Sequence, residues 1–460
     1  MSELRQRKGV KGSGSSAISK PTGSGSGDHA HKFEYEFGGP VGAFATMMAL
    51  PLVLYFLYYG ATKDYRFNFT NYEGLFDAFP KSIDEVWSLE AFAVVCGWFA
   101  FNVFLERILF AEKGKGVVLR DGSQLTYNLS GHLQFWVILF VLMFGKPVFN
   151  EKGNVEYFTH FNLAWLYDNY VKLATGAVLF SWILSIFLYS KSFAKGALLA
   201  LGGDSGNPVY DFFIGRELNP RTGKTFDWKE FCELRPGLIG WMVLNIGCAM
   251  KQYELLGYVT YPMIFINLFQ GIYVWDALYQ ERAILTTMDI TTDGFGWMLC
   301  FGDLAWVPFS YSLQARYIVE NDSSDQMSTA VLAGIFTLNF VGYYIFRSAN
   351  SQKDAFRRDP NSEEVAHLKT ITTKTGRKLL VSGWWGLARK INYTGDWLMG
   401  LAWCSCTGHG CIVTYFYSIY FFILLVHRAY RDNHACAHKY GDDWPRYKAH
   451  VPYVFVPGVI

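Results

Sequence analysis

Near its C-terminus the chain reads Trp397-Leu-Met-Gly-Leu-Ala-Trp-Cys-Ser-Cys-Thr-Gly408-His-Gly-Cys-Ile-Val-Thr-Tyr-Phe-Tyr-Ser-Ile-Tyr-Phe-Phe-Ile-Leu-Leu-Val426. This apolar block is too long for one membrane-spanning helix, which needs about 20 residues. Gly408-His-Gly410 interrupts it with residues that favour a turn. The stretch therefore predicts two spanning helices joined in a tight hairpin, with polar sequence on both sides.

The composition of the whole chain agrees with a membrane protein. Hydrophobic residues make up 51% of the 460 residues and aromatic residues 18%. Charged residues are only 17%, against roughly 25% in ordinary globular proteins. The net charge of +2 comes with no basic stripe of the kind that binds nucleic acid. We therefore expect an all-α polytopic membrane protein without a nucleic-acid partner.

Further apolar blocks of membrane-spanning length precede the hairpin. Together with its two helices they predict about ten transmembrane helices. The seventh block contains Asp303 and Tyr311, and Pro308 within it is expected to kink the helix and open room for a ligand. The eight earlier blocks are Val41–Tyr59, Leu89–Phe110, His132–Phe144, Val171–Tyr189, Leu238–Met250, Met263–Leu278, Phe295–Val319 and Ala330–Phe346.

Three parts of the chain follow from this pattern. Residues 1–32 are rich in Gly, Ser and Lys and lack an apolar centre, so we expect a disordered cytosolic tail and no cleavable signal peptide. Residues 33–346 hold spans one to eight, and residues 347–460 hold a basic segment and spans nine and ten. Lys and Arg concentrate in connections that ten spans would place on one side, which predicts that both termini face the cytosol.

The polar residues of the C-terminal part have helical spacing. Lys353 and Arg357 are four residues apart and share a helix face. Arg428, Asp432 and Cys436, followed by Lys439 and Tyr440, share another face. A surface with cations, a carboxylate and aromatic rings suits a ligand that has phosphates and polar rings. The cations alone are also explained by the preference of Lys and Arg for the cytosolic side.

Two further groups of polar residues need an interpretation. His434 and His438 lie four residues apart, but Cys436 points to another face and a suitably spaced carboxylate is lacking, so we expect no metal site. Asp276 and Glu281 lie close to membrane depth, where acids are costly and usually functional or paired.

Several longer motifs of the chain match a known family. They are Phe33-Glu-Tyr-Glu-Phe-Gly-Gly, Gly215-Arg-Glu-Leu-Asn-Pro-Arg221, Leu285-Thr-Thr-Met-Asp-Ile-Thr-Thr-Asp-Gly-Phe-Gly296, Val307-Pro-Phe-Ser-Tyr-Ser-Leu-Gln-Ala-Arg-Tyr317 and the run from His427 to Tyr453. In these motifs the chain resembles the sterol reductases of the endoplasmic reticulum membrane, and within them most closely the fungal Δ14 branch. The resemblance covers nearly everything from residue 33 to the C-terminus.

This resemblance implies a specific chemistry. It implies a membrane sterol as substrate, NADPH from the cytosol as reductant, and ten membrane helices with the NADPH site in the C-terminal half. The cofactor residues of the family correspond here to Lys353, Arg357, Leu380, Trp385, Asn392, Tyr393, Asp432, Cys436, Lys439, Tyr440 and Tyr447.

The expected reaction is reduction of the C14=C15 double bond in sterol (ergosterol) biosynthesis, in which a proton is added first and a hydride second. A buried acid, or a Tyr backed by one, would donate the proton. The candidates are Tyr273, Asp276, Glu281 and Tyr311. Reduction of a Δ24(28) or Δ7 bond and a non-catalytic sterol-binding role remain the alternatives, because no residue is physically tied to one double bond.

Overall fold

In this computed structural model the described residues are 33, 35–70, 72–149, 155–320 and 327–459. The predicted cytosolic tail, residues 1–32, lies outside them. The described part is mostly helical. Its first ten helices extend along the chain through the fifth predicted span. They are α1 (Gly39–Tyr59), α2 (Gly74–Ala78), α3 (Ile83–Val86), α4 (Leu89–Ile108), α5 (Gly131–Phe144), α6 (Ala164–Asp168), α7 (Tyr170–Lys191), α8 (Pro208–Ile214), α9 (Trp228–Cys232) and α10 (Leu238–Leu256).

The second half of the chain adds eleven helices in the described residues, several of them only one turn long. They are α11 (Tyr261–Tyr279), α12 (Glu281–Ile284), α13 (Met288–Thr291), α14 (Trp297–Phe301), α15 (Val307–Tyr311), α16 (Leu313–Glu320), α17 (Thr329–Arg358), α18 (Trp384–Leu387), α19 (Ile391–Ser405), α20 (Phe416–Tyr440) and α21 (Asp443–His450).

Helices occupy each of the stretches predicted to span the membrane. Among the described residues, five helical segments are both long and apolar enough to cross a membrane by those two criteria. The α5 helix, Gly131–Phe144, is apolar but shorter. The five segments are Gly39–Tyr59, Ile83–Ile108, Tyr170–Lys191, Thr329–Arg358 and Ile412–Tyr440.

The helical hairpin predicted at Gly408 is present, although of its two helices only the second is among the described segments that are long and apolar enough to cross a membrane. Helix α19 ends at Ser405, and α20 begins at Phe416 after a short 3₁₀ turn, Ile412–Tyr415. Gly408 has a φ of 69°, a backbone conformation that glycine adopts without steric cost. The two helices pack against each other and place the end of α20 beside the segment before α19.

The seventh predicted span contains a π-helical turn rather than a regular α-helix throughout. A π-helical turn, Gly302–Trp306, separates α14 from α15, and Pro308 lies in the first turn of α15. A second π-helical turn, Glu233–Gly237, precedes α10. The two turns touch, because a Cβ at Gly237 would lie 2.2 Å from the backbone oxygen of Asp303. Turns of this kind are frequent at functional sites.

The expectation of a wholly α-helical chain needs correction, because four small antiparallel hairpins connect the helices. The first of them forms in the basic loop after α4, where Asp121-Gly122 supplies a turn and Gly122 has a φ of 82°. The pairs are β1 (Glu112–Val118) with β2 (Gln124–Leu129), β3 (Lys146–Phe149) with β4 (Val155–Thr159), β5 (Arg221–Thr222) with β6 (Phe226–Asp227), and β7 (Thr370–Thr372) with β8 (Lys378–Leu380).

One buried guanidinium joins three distant parts of the chain to the segment that contains it. Arg235 has no exposed side-chain surface, and its nitrogens lie 2.9 Å from Glu106, 2.8 Å from Glu230 and 2.7 Å from Glu281. It also donates to the backbone oxygen of Asn128 over 2.8 Å. The network therefore ties together α4, β2, α9 and α12 at the end of the helix bundle.

Replacing Arg235 by Met should destabilise the protein strongly. The substitution leaves three buried carboxylates without their cation, and breaking a buried ion pair in this way costs roughly 3–5 kcal/mol. We expect a clearly lower thermal unfolding midpoint for the purified protein in detergent. The matched control is Arg358→Met, which removes a guanidinium whose side chain is 73% exposed in its pair with Asp354. Equal midpoints for the two variants would contradict this role of Arg235.

Candidate functional site

A large cleft lies where the polar ends of α17 and α20 leave the apolar bundle. Its cavity volume is about 960 Å³, at the upper end of the roughly 300–1000 Å³ of typical small-molecule pockets. Both helices extend beyond their apolar parts, since α17 continues to Arg358 and α20 to Tyr440. The cleft is thus built on long helices anchored in the bundle.

A hairpin and a short helix close the other side of the cleft. Gly376, with a φ of 77°, makes the turn between β7 and β8 and brings Arg377 to the cleft. The backbone nitrogen of Lys374 donates to Asp443 over 2.6 Å, which fixes this hairpin to α21. Leu380, from β8, adds an apolar part to the wall.

Lys353 lies deep in the cleft on the face of an aromatic ring. Its Nζ is 3.8 Å from the centre of the Trp385 ring, a cation–π contact. The Trp385 Nε1 in turn donates to the backbone oxygen of Ala349 over 2.8 Å, which fixes the ring to α17. Lys353 makes no ion pair in the described structure, so its amino group is available to bind an anionic ligand.

An ion pair in the cleft joins Lys390, just before α19, to Asp432 on α20. Lys390 Nζ is 2.5 Å from Asp432 Oδ2, and Cys436 Sγ lies 3.8 Å from the same oxygen. Lys390 also lies 5.4 Å from the centre of the Tyr393 ring. Burial raises the pKa of the nearby Tyr447 to about 12, so its hydroxyl stays protonated at neutral pH and can donate a hydrogen bond.

Most of the sequence-predicted cofactor residues surround this cleft. Asn392 and Tyr393 do not line it and lie at the start of α19. There Asn392 Nδ2 donates to Asn350 Oδ1 over 3.2 Å. The residues that line the cleft are Lys353, Arg357, Leu380, Trp385, Asp432, Cys436, Lys439, Tyr440 and Tyr447.

The cleft also contains cations that are not in the set of cofactor residues implied by the family resemblance. Arg377 belongs to the β7–β8 hairpin, and Lys390 begins α19. Arg389 donates to the backbone oxygens of Val451 and Pro452 over 2.8 and 3.0 Å, so it holds the C-terminal segment in place. The Lys-Thr-Gly-Arg sequence around Gly376 was the available signal, because it is typical of a hairpin turn.

Two of the four proposed catalytic residues share one aromatic cage inside the bundle. Tyr273 of α11 and Tyr311 of α15 both contact Trp241, with ring centres 6.1 and 5.2 Å from it. Trp403 packs against Tyr273 at 5.2 Å, and Tyr417 packs against Tyr311 at 4.7 Å. Both hydroxyls therefore belong to the same interior region.

The structure places the other two candidates in separate ion pairs. Asp276 accepts a hydrogen bond from the Tyr343 hydroxyl over 3.2 Å and lies 3.4 Å from Arg347. Glu281 belongs to the Arg235 network and also accepts from the backbone nitrogen of Gly131 over 2.9 Å. Neither carboxylate joins the aromatic cage.

Asp396 of α19 is the acid that sequence reasoning missed in this region. It is buried, interacts with Tyr273, and its Oδ1 has no hydrogen-bond partner among the described residues. Asn392 precedes it by four residues, so Asp396 lies about one helical turn further along the same face. This spacing was the signal that could have identified it.

These features define a membrane protein with a cationic, aromatic cleft at one end of its helix bundle and an acid beside two tyrosines in the interior. The chain belongs to the ergosterol biosynthesis ERG4/ERG24 family, whose model matches residues 31–460.

Individual relatives match over almost the entire chain. The Delta(14)-sterol reductase ERG24 of Candida albicans is 43% identical over 92% of this chain and 97% of its own length. The Delta(14)-sterol reductase TM7SF2 of Mus musculus is 44% identical over 92% of this chain and 97% of its own length. The Delta(14)-sterol reductase ERG24 of Saccharomyces cerevisiae is 40% identical over 93% of this chain and 98% of its own length. Similarity thus extends over both the bundle and the cleft.

Proposed function

We propose that the protein is an NADPH-dependent enzyme that reduces the C14=C15 double bond of sterol intermediates. The observation that carries this proposal is the pairing of a cleft suited to a phosphorylated cofactor with a buried acid–tyrosine site in one bundle. Relatives at 40–44% identity, each described as a Delta(14)-sterol reductase, support the choice of double bond.

The residues of the cleft fit NADPH by their chemistry. Arg357, Arg377 and Lys439 offer cations at the rim for phosphate groups, and Lys353 offers one deeper inside. Tyr440 and Trp444 stack with their ring planes 22° apart and supply a flat aromatic surface. When bound, NADPH would supply a hydride to the sterol.

The residues of the aromatic cage would handle the proton. Tyr273, with Asp396 beside it, would add a proton to C15, which leaves a tertiary, allylic cation at C14 that accepts the hydride. The free Oδ1 of Asp396 suits a proton relay to the tyrosine. Trp241, Trp403 and Tyr417 exclude water, which would otherwise capture the cation. Tyr311, which also packs against Trp241, is a second donor candidate in this proposal.

Two of the proton donors predicted from the sequence, Asp276 and Glu281, have surroundings that suit this role less well. Asp276 and Glu281 each lie beside a guanidinium group, at 3.4 and 2.7 Å respectively. The cation favours the ionised form of the carboxylate, which carries no proton to donate. We therefore place Tyr273 and Asp396 first.

We further propose that the chain resides in the endoplasmic reticulum membrane with ten crossings and both termini in the cytosol. Helices are present at all ten predicted positions, although α5 and α19 are short for a full span. In this orientation the cleft opens to the cytosol, where NADPH is available, and the sterol enters from the membrane. The Lys and Arg residues of the cleft agree with this orientation.

The activity can be tested by sterol profiling. Cells that lack the protein should accumulate sterols with Δ8,14 double bonds, which mass spectrometry distinguishes from normal end products. Expression of the intact chain should remove them. Accumulation of 24(28)-methylene or Δ7 sterols instead would assign another double bond, and an unchanged profile would favour a non-catalytic sterol-binding protein.

Arg357→Ala should weaken the use of NADPH selectively. Loss of a charged hydrogen bond costs about 1.5–3 kcal/mol, so we expect the KM for NADPH to rise about tenfold to a hundredfold. The KM for NADH, which lacks the additional phosphate, should change far less. Arg358→Ala is the matched control, since that neighbouring side chain is largely exposed and pairs with Asp354. Equal effects on both cofactors would remove Arg357 from this role.

Tyr273→Phe should abolish proton donation while the cage remains packed. Loss of a general acid typically lowers the rate about 10²- to 10⁴-fold, and binding of NADPH should stay normal. The control is Tyr279→Phe on the same helix, because the Tyr279 side chain is exposed. Near-normal turnover by purified Tyr273→Phe protein would exclude this tyrosine as the donor.

A further inference from the structure

A second group of ionisable residues lies beside the two π-helical turns, apart from the cofactor cleft. Glu233 begins the first π-helical turn, and Asp303 belongs to the second. Asp289 and Asp293 flank the end of α13. Lys229 completes the group, and none of these side chains has a role in the reaction described above.

The group is held together by specific contacts. Lys229 is fully buried, and its Nζ donates to the backbone oxygens of Ile290 over 3.2 Å and Asp293 over 2.7 Å. The two π-helical turns meet at Gly237, which has no side chain to keep them apart. Asp289 lies 3.7 Å from Arg428, and its side chain is 30% exposed. The group therefore begins at the surface and continues into the bundle.

Asp303 belongs to the second π-helical turn, which touches the first. Its Oδ2 atom is buried without a hydrogen bond in the described structure. Glu233, Asp289 and Lys229 act on Asp303 electrostatically. Asp303 in turn acts on Tyr311, which follows it by eight residues in the same helical segment. Asp303 is therefore near both the surface acids and the aromatic cage.

The outer members have protonation equilibria displaced toward neutral pH. Burial raises the pKa of Glu233, and the nearby Asp289 raises it further. Burial lowers the pKa of Lys229 to about 8, although Asp227 and Glu233 act in the opposite direction. Groups with a pKa near the working pH exchange protons most effectively.

A proton path is needed by the reaction itself. Each turnover adds one hydride from NADPH and one proton to the alkene, and the donor is left without its proton. NADPH supplies no second proton, so the donor must regain one from water. The aromatic rings around Tyr273 keep bulk water away from it.

We propose that Asp289, Glu233 and Asp303 form the path by which protons from the cytosol reach the Tyr273–Asp396 donor. A proton passes from water to Asp289, then through Glu233 and Asp303 to the region of Tyr311 and Asp396, and finally restores the tyrosine hydroxyl. These acids are positioning and relay groups and do not contact the sterol. The path rests on the proposed reductase function.

The orphaned oxygen of Asp303 makes it the residue to test. In Asp303→Asn the relay loses its titratable group, so we expect kcat to fall about tenfold to a hundredfold and the KM for NADPH to stay unchanged. Proton supply then limits turnover. Compared with the unaltered protein, the variant should show a larger solvent isotope effect on kcat, measured in heavy water against ordinary water. Its isotope effect on kcat with deuterated NADPH should be smaller.

Two variants separate a relay from a structural role. Asp303→Glu keeps a carboxyl group and should recover most of the activity, and added formate should partly rescue Asp303→Asn. Asp121→Asn, which removes an exposed carboxylate near the turn between β1 and β2, is the control and should behave like the unaltered protein. Thermal unfolding in detergent shows whether each variant is folded.

The outcomes distinguish the two proposals. If the unaltered chain oxidises NADPH with a Δ8,14 sterol but Asp303→Asn keeps its kcat and both isotope effects, the path is wrong and the reductase function stands. A slow Asp303→Asn variant with unchanged isotope effects would also overturn the path. If the unaltered chain shows no turnover, the reductase function fails and the path fails with it.

Discussion

The buried contact between Arg235 and three glutamates is the constraint on which the rest of the structure depends. A guanidinium inside a membrane protein is costly unless its donors are paired, and here Glu106, Glu230 and Glu281 provide three carboxylates within 3 Å. Because these residues come from separate segments, the pairing fixes how α4, α9 and α12 meet. It also positions the π-helical turn from which α10 continues into the core.

This arrangement lets one bundle hold two different environments. Trp241 of α10 packs against both Tyr273 and Tyr311 in the apolar interior. The long helices α17 and α20 leave that interior and carry Lys353 and Asp432 into a wet, cationic cleft. Helix α19 connects the two, with Asn392 at its polar start and Asp396 one turn deeper. Close packing of α17 and α19 at Gly342 and Gly395, where an added Cβ would lie within 2.7 Å of backbone, keeps them in register.

Much of the fold and of the cleft could be predicted from the sequence, for definite reasons. Apolar block length located the helices, and Gly408-His-Gly410 located the hairpin. Helical spacing gathered Lys353 with Arg357, and Asp432 with Cys436, because residues four apart in a helix face the same way. The short hairpins were missed, since two to seven paired residues leave a weak pattern in a chain dominated by membrane-length blocks. The β7–β8 hairpin is the most important of those missed, because it brings Arg377 to the cleft.

By itself, the sequence determined the membrane character, the order of the helices and the set of residues at the polar end, since these depend on local composition and spacing. Only the tertiary structure decided which buried acids are available for proton transfer. Asp276, Glu281, Asp303 and Asp396 look alike in sequence as acids within or beside apolar segments. Folding brings guanidinium groups to Asp276 and Glu281, and it leaves an oxygen of Asp303 and one of Asp396 unpaired. The distinction depends on partners far away in the chain, which no local pattern records.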